Sequence, residues 1–144
     1  MIRKITENDK AKYMEYVNIF YNSNAVLHPV PKENFENTFN ELMSSSAYAE
    51  SFMLEEENKV VGYCLIAKTF SQEAGGMVIW IEELYVEPDY RSKGIGTKVF
   101  DFLKDHYPEA KRLRLEAEEE NKKAIALYKR LGFTELEYKQ YIIE

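Results

Sequence analysis

A chain of 144 residues with 45% hydrophobic and 31% charged residues can bury a core as one domain, residues 1–144, and does not have the composition of a disordered segment. Its formal net charge of −6 speaks against a nucleic-acid partner, since phosphate backbones are gripped by clustered Lys and Arg, and it suits a cationic substrate. One cysteine, Cys64, excludes an internal disulfide framework; Met1-Ile2-Arg3-Lys4-Ile5 lacks an apolar signal core and no apolar run approaches the ~18 residues of a membrane span, which predicts a cytoplasmic protein without a membrane partner.

Ile2 to Ile5 alternates apolar and basic residues, as a short strand does. Cap-type residues Thr6-Glu7-Asn8-Asp9 then precede Tyr13, Tyr16, Val17, Phe20 and Tyr21 at helical spacing, which predicts a first helix over about 7 to 22. His28-Pro29-Val30-Pro31 reads as a loop, and Phe35, Phe39, Leu42 and Met43 as the stripe of a second helix ending in Ser44-Ser45-Ser46. Phe52 and Leu54 lie in a short strand, Glu57-Asn58 is a hairpin turn, and Val60 to Ala67 is a nearly continuous apolar strand, the pattern of one covered on both faces. Gly75-Gly76 turns the chain into a strand from Met77 to Val86.

Val99, Phe102, Leu103 and Tyr107 stripe a helix that Pro108 terminates, and Leu113 and Leu115 alternate with charged residues in a strand over 111–116. The next helix starts at Asn121, carries Ala124, Ile125, Tyr128 and Leu131, and meets Gly132 at the position of a C′ glycine. Phe133 to Ile143 reads as a strand with Leu136, Tyr138, Tyr141 and Ile143 inward. The order β-α-α-β-β-β-α-β-α-β is that of an α/β protein with a mixed sheet, and strand 77–86, helix 95–107 and strand 111–116 form a βαβ unit whose strands are parallel neighbours.

Chemistry concentrates in Trp80 to Thr97, a strand followed by a Pro-punctuated turn and a glycine-rich helix entry. In Arg91-Ser92-Lys93-Gly94-Ile95-Gly96, Gly94 can take backbone angles closed to other residues and Gly96 has no Cβ to block a pyrophosphate, so successive N–H groups can converge on phosphate oxygens. The helix dipole and the charges of Arg91 and Lys93 add attraction. A dinucleotide fingerprint needs a third glycine where Val99 stands, and the Gly-Lys-Ser/Thr of a Walker loop is absent.

Val86-x-x-x-x-Arg91-x-x-Gly94-x-Gly96, after a strand ending Leu84-Tyr85-Val86, together with Asn121-x-x-Ala124-x-x-Leu127-Tyr128 and Leu131-Gly132-Phe133, resembles the GNAT superfamily of acyl-CoA-dependent N-acetyltransferases. The resemblance spans nearly the whole chain and implies a mixed sheet of about 6–7 strands flanked by about four helices. It further implies an acetyl-CoA site between strands 77–86 and 111–116, with no metal. The pyrophosphate would lie on the amides of Arg91, Ser92, Lys93, Gly94, Ile95 and Gly96, and the pantetheine would pair like an extra strand with the backbone of Leu84 and Val86. Ser92 stands where the family often has Gly. Asn121 has a plain role as helix N-cap, and the resemblance adds a contact to the pantetheine arm. Tyr128 lies on an apolar stripe, where a tyrosine usually serves the core; its match to the family's tyrosine implies a general acid for the leaving thiolate.

An amine must lose a proton to attack a thioester, and Glu82, four residues before Val86, matches a carboxylate that serves as base in polyamine-type members. Strand alternation puts Glu82, Leu84 and Val86 on one face and Glu83 and Tyr85 on the other, unless a bulge intervenes; Glu83 and water are the alternative bases. Cys64, mid-strand with no His near it in sequence, reads as a small buried hydrophobe, which leaves direct attack in a ternary complex. His28 and His106 lack metal-ligand spacing, and the acidic runs Glu55-Glu56-Glu57 and Glu116 to Glu120 read as solvated surface that can draw in a cation. The resemblance implies acetyl transfer to a primary amine of a small molecule; a non-catalytic acyl-CoA sensor and a protein or peptide N-acetyltransferase are the rival readings. Residues 7 to 46, with Tyr21, His28 and Phe35, would shape the acceptor pocket, and C-terminal edge strands are a candidate homodimer surface.

Overall fold

In a computed structural model describing residues 1–144, the chain forms β1 (Ile2–Lys4), α1 (Lys10–Tyr21), α2 (Lys32–Ser44), β2 (Ala49–Glu56), β3 (Lys59–Ser71), β4 (Gly76–Val86), α3 (Ile95–His106), β5 (Arg112–Leu115) and α4 (Lys122–Arg130). Short 3-10 turns precede α1, at Glu7–Asp9, and α3, at Pro88–Tyr90. The five strands lie in the order β1-β2-β3-β4-β5, antiparallel except for the parallel pair β4 and β5. Helix α3 crosses between those two strands, as the βαβ pattern requires.

The tail departs from expectation. Residues 133–144 form no strand, so the sheet has five strands rather than the six or seven anticipated, and the predicted C-terminal edge strand is missing. Leu136, Tyr138, Tyr141 and Ile143, expected inward, are exposed. Alternating apolar residues define a strand only when ladder bonds to a neighbour form, and the tail makes none with the outer edge of β5.

Side-chain alternation in the sheet feeds two cores. Met53, Tyr63, Leu65 and Tyr85 face α1 and α2, meeting Tyr13, Tyr16, Val17, Phe20, Phe35, Phe39 and Leu42. Phe52, Leu54, Val61, Cys64, Ile66, Ile79 and Ile81 face α3 and α4, meeting Ile95, Val99, Phe100 and Leu103. β3 is therefore covered on both faces, as its unbroken apolar run predicts. The Glu57-Asn58 hairpin has φ of 50° and 63°, the doubly left-handed turn that matches strand twist.

Gly62 marks a close approach: a Cβ there would lie 2.1 Å from the carbonyl oxygen of Tyr85. Because the obstacle is backbone in the central strand pair, Gly62→Ala should cost about 1–3 kcal/mol or more, read as a lowered denaturation midpoint with an unchanged slope.

Glu50 is the most heavily partnered buried carboxylate. It pairs with Lys68 at 2.7 Å and Lys4 at 3.2 Å and accepts a 2.5 Å hydrogen bond from the Tyr107 hydroxyl. Burial alone would raise its pKa, but the bonds from Lys68, Tyr107 and Lys4 outweigh it and hold the group at about 2. A folded-state value below the unfolded one stabilises the fold above the unfolded pKa and loses that contribution as pH falls through the folded value. Denaturation midpoints should therefore decline as pH drops from about 4.5 to about 2, by about 3 kcal/mol in total from this group, and Glu50→Gln should flatten that part of the decline. Asp9, held at about 2 chiefly by its hydrogen bond from Arg3 against the cost of burial, adds a smaller fall between pH 3.8 and about 2.

Candidate functional site

The site begins where β4 and β5 part. Their register runs from Val78↔Arg112 to Ile81↔Leu115 and stops, while β4 continues to Val86. On the other side of β4 the pairing with β3 continues, and Glu87 N–H donates to Val61 O at 2.8 Å. Backbone groups alternate sides along a strand, so Tyr85 shares the β3 side with Glu87, and Leu84 and Val86 turn theirs to the open edge. Val86 bears this out: its carbonyl accepts Arg91 Nε at 2.7 Å, a contact outside the β3 ladder.

A β-bulge sits at this point. Leu65 pairs with Glu83 but Ile66 with Ile81, leaving Glu82 as the extra residue of β4. The bulge resets alternation, so that Ile79 and Ile81 before it and Leu84 and Val86 after it all face α3 and α4, while Glu83 and Tyr85 face α1 and α2. The expected grouping of Leu84 with Val86 and of Glu83 with Tyr85 holds. Glu82 falls outside regular alternation.

Glu82 is exposed, and the register sets Glu116, just past Leu115, opposite it across the opening. Its pKa is raised, first by desolvation and then by the charges of Glu116 and Glu83. Glu83 is buried, 7% exposed, and accepts hydrogen bonds from Tyr21 at 2.5 Å and Tyr63 at 2.6 Å. Desolvation raises its pKa as well, against the opposing pull of those two hydroxyls. Sequence reasoning named Tyr21 as a residue of the first helix's stripe and of the acceptor pocket and did not select Tyr63; a hydroxyl-bearing residue within an otherwise apolar central strand was the available signal.

Beyond the strand end, the turn is shaped by two left-handed residues, Ser92 with φ 60° and Gly94 with φ 80°. Gly94 is at ease there; Ser92 adopts the conformation for which a glycine is best suited, which explains why the resemblance has Gly at its place. The first α3 backbone bond runs from Lys98 N–H to Gly94 O at 3.1 Å, so the amides of Ile95, Gly96 and Thr97 have no helical acceptor. Gly96 has a second neighbour. A Cβ there would meet Leu127 Cδ2 at 2.8 Å, so its bareness also serves the approach of α4 to α3.

Asn121 occupies the N-cap position of α4, and Ile125 N–H donates to its carbonyl at 3.1 Å, but its side chain makes no capping bond. That amide is left available. Tyr128 is set by the helix end: Phe133 N–H donates to Tyr128 O at 3.0 Å and Gly132 N–H to Lys129 O at 3.1 Å, the paired bonds of a Schellman motif, with Gly132 at φ 89°. The Tyr128 ring packs against Phe100 at 5.9 Å and Phe133 at 6.0 Å. Its hydroxyl has no partner within the chain, and since every buried side-chain polar atom is bonded, it keeps contact with solvent. Burial of the ring raises its pKa, so the proton is retained at neutral pH.

Other candidates are placed plainly. Cys64 is fully buried and its thiol is pushed up to about 12 by desolvation, which suits a small hydrophobe. His28 is exposed in the loop between α1 and α2, and His106, at the end of α3, stacks on Phe102 at 5.1 Å. Phe35 packs on Tyr21 at 5.2 Å. No cluster of three His, Cys, Asp or Glu side chains is arranged to hold a metal ion, and no helix is long and apolar enough to cross a membrane.

A mixed sheet opened between its two parallel strands, with a left-handed turn feeding a helix N-terminus at the mouth, defines the architecture of the GNAT fold. Solved structures share it over the full length: a possible acetyltransferase from Clostridium difficile 630 has a TM-score of 0.82 at 23% identity, covering 100% of this chain and 96% of that one. An aminoglycoside N-acetyltransferase, AAC(6')-Iy, in complex with CoA has a TM-score of 0.81 at 13% identity, covering 100% and 93%. The model of the acetyltransferase (GNAT) family matches residues 13–133, and the chain belongs to that family. Among curated relatives, the uncharacterized N-acetyltransferase YhfO of Bacillus subtilis (strain 168) is 32% identical over 83 residues, 56% of each chain. Thialysine N-epsilon-acetyltransferase of Bos taurus is 38% identical over 79 residues, 54% of this chain and 46% of the relative. The spermine/spermidine N(1)-acetyltransferase of Bacillus subtilis (strain 168) is 29% identical over 91 residues, 60% of each. The chain thus spans about half the length of the curated relatives it matches.

Proposed function

We propose that this chain is a cytoplasmic N-acetyltransferase that moves an acetyl group from acetyl-CoA to a primary amine of a small, cationic molecule by direct attack in a ternary complex. The observation that carries the reading is the unpaired edge of β4 past Ile81↔Leu115, with outward backbone at Leu84 and Val86. It leads at its far end to the free amides of Ile95, Gly96 and Thr97. An extended pantetheine arm adds to such an edge as a strand does, and a pyrophosphate suits those amides with Arg91 and Lys93 beside them. Asn121 contributes its uncommitted amide to the arm. The names of relatives that act on thialysine, spermine or spermidine, and of an aminoglycoside-acetylating neighbour, support a small amine as acceptor.

Acetyl-CoA supplies the acyl group as a thioester. The chain's own residues then manage protons and geometry. Glu82, raised in pKa and open to the cleft, accepts a proton from the acceptor ammonium, directly or through water, freeing the nitrogen lone pair. A strand amide near Leu84 faces the thioester carbonyl and polarises it. As the C–N bond forms and the C–S bond breaks, the Tyr128 hydroxyl donates its proton to the departing sulfur, and the second proton shed by the acylated nitrogen restores that hydroxyl through water. Holding both reactants in one cleft supplies much of the rate.

A thiol-release assay with acetyl-CoA against polyamines, aminoglycosides, amino acids and N-terminal peptides tests the proposal. Release with a small amine is the expected result. Tight CoA binding by calorimetry with no release across the panel would favour a sensor instead, and release with peptides alone a protein-modifying enzyme.

A further inference from the structure

Three carboxylates are buried in this protein, and two have cations. Asp9 is paired with Arg3 at 2.8 Å, and Glu50 with Lys68 and Lys4. Glu83 has none: no ion pair in the structure reaches it, and its only partners are the hydroxyls of Tyr21 and Tyr63. Two neutral donors satisfy about half of the lone-pair sites of a carboxylate and supply no counter-charge, whereas buried charges are ordinarily matched by an opposite one.

The two donors are not equivalent. Tyr63 is fully buried in the middle of β3, clamped by the rings of Tyr13 at 5.3 Å, Tyr16 at 6.4 Å and Tyr85 at 6.3 Å. Tyr21 is the last residue of α1, half-buried where the loop to α2 begins, its ring against Phe35 of α2. The side chain able to yield its place is Tyr21. Glu83 also adjoins Glu82, the proposed base, along β4, and its side chain faces Tyr21 of α1.

We propose that Glu83, held in place by Tyr63, receives a second, non-reacting ammonium group of the acceptor, and that Tyr21 is the specificity-determining cover displaced by it. The favoured acceptors are then diamines and their higher homologues, one nitrogen reacting beside Glu82 and another bound at Glu83. This rests on the reading of the chain as an amine acetyltransferase.

The test compares butane-1,4-diamine with 4-aminobutan-1-ol, which differ only in the second charge, on the full chain. Wild type should favour the diamine by roughly tenfold or more in kcat/KM, the size of one hydrogen bond to a charged group, and Glu83→Gln should bring that ratio toward unity. Tyr21→Phe, which removes the competing donor at a half-exposed position, should keep or raise the ratio. Equal kcat/KM for both acceptors in wild type overturns the proposal without any variant. So does a Glu83→Gln protein that loses rate on both alike, the mark of a merely structural role. Calorimetric titration with butane-1,4-diamine separates the two readings: binding roughly tenfold tighter to wild type than to Glu83→Gln supports the ammonium site even if no amine is acetylated, and equal binding refutes it whatever the activity.

Discussion

Glu82→Gln is expected to lower kcat/KM for amine acetylation by on the order of 10²-fold or more, the usual worth of a positioned general base. The accompanying pH profile is the sharper measurement. A base works only when ionised, so activity in wild type should rise with pH as Glu82 loses its proton. Desolvation, Glu116 and Glu83 all push that event above the ordinary carboxylate range, and the acidic limb should lie correspondingly high. Gln cannot titrate, so the limb should vanish in the variant, while CoA binding measured by calorimetry should persist because the turn at 91–96 is untouched. A rate within a few-fold of wild type, with the limb retained, would transfer the role to water or to Glu83. Glu116→Gln is the companion measurement: removing its charge from the mouth should move the limb to lower pH without abolishing it.

Tyr128→Phe is expected to reduce kcat by about 10²-fold while leaving the affinity for CoA close to that of wild type. The ring is held by Phe100, Phe133 and the helix-ending turn at Gly132, none of which depends on the hydroxyl, so Phe should fit without rearrangement. Because the hydroxyl makes no bond within the chain, its loss should not lower the melting temperature either. A defect in turnover alone isolates proton donation to the leaving sulfur; unchanged turnover would exclude it. Acceptors whose acetylation depends least on assistance to the thiolate should show the smallest deficit.

Much of this was legible in the one-dimensional chain. Tyr13, Tyr16, Val17 and Phe20 recur at the period of a helix, Phe35, Phe39 and Leu42 do the same, and all face the core as predicted. Gly94 and Gly132 take the left-handed angles that glycine makes easy, and Glu57-Asn58 forms the hairpin turn its residue types favour. These are local effects, decided by sterics and by the period of apolar residues within a few positions. The tail was misjudged because alternation in Phe133 to Ile143 is a local signal, whereas a strand also needs ladder bonds to a neighbour, which the tail does not make.

For the candidate site, residue identities were legible and their environments were not. The motif around Arg91 and Gly94, the open strand and Tyr128 were all selected from sequence. The chain alone could not place Glu82 on a bulge, because a bulge is a mismatch between two strands and exists only in their pairing. Nor could it reveal that Gly96 lies against Leu127, a contact between helices brought together by the sheet. Tyr21, Tyr63 and Glu83 stand far apart in sequence, at the end of a helix and in two strands, and their hydrogen bonds form only when α1 packs across β3 and β4. Sequence by itself thus determined the elements up to Gly132, the family and the candidate residues of the site, because each depends on neighbours along the chain. Tertiary structure alone decided which carboxylate is exposed beside Glu116 and which is buried without a cation, because burial and charge pairing depend on neighbours in space.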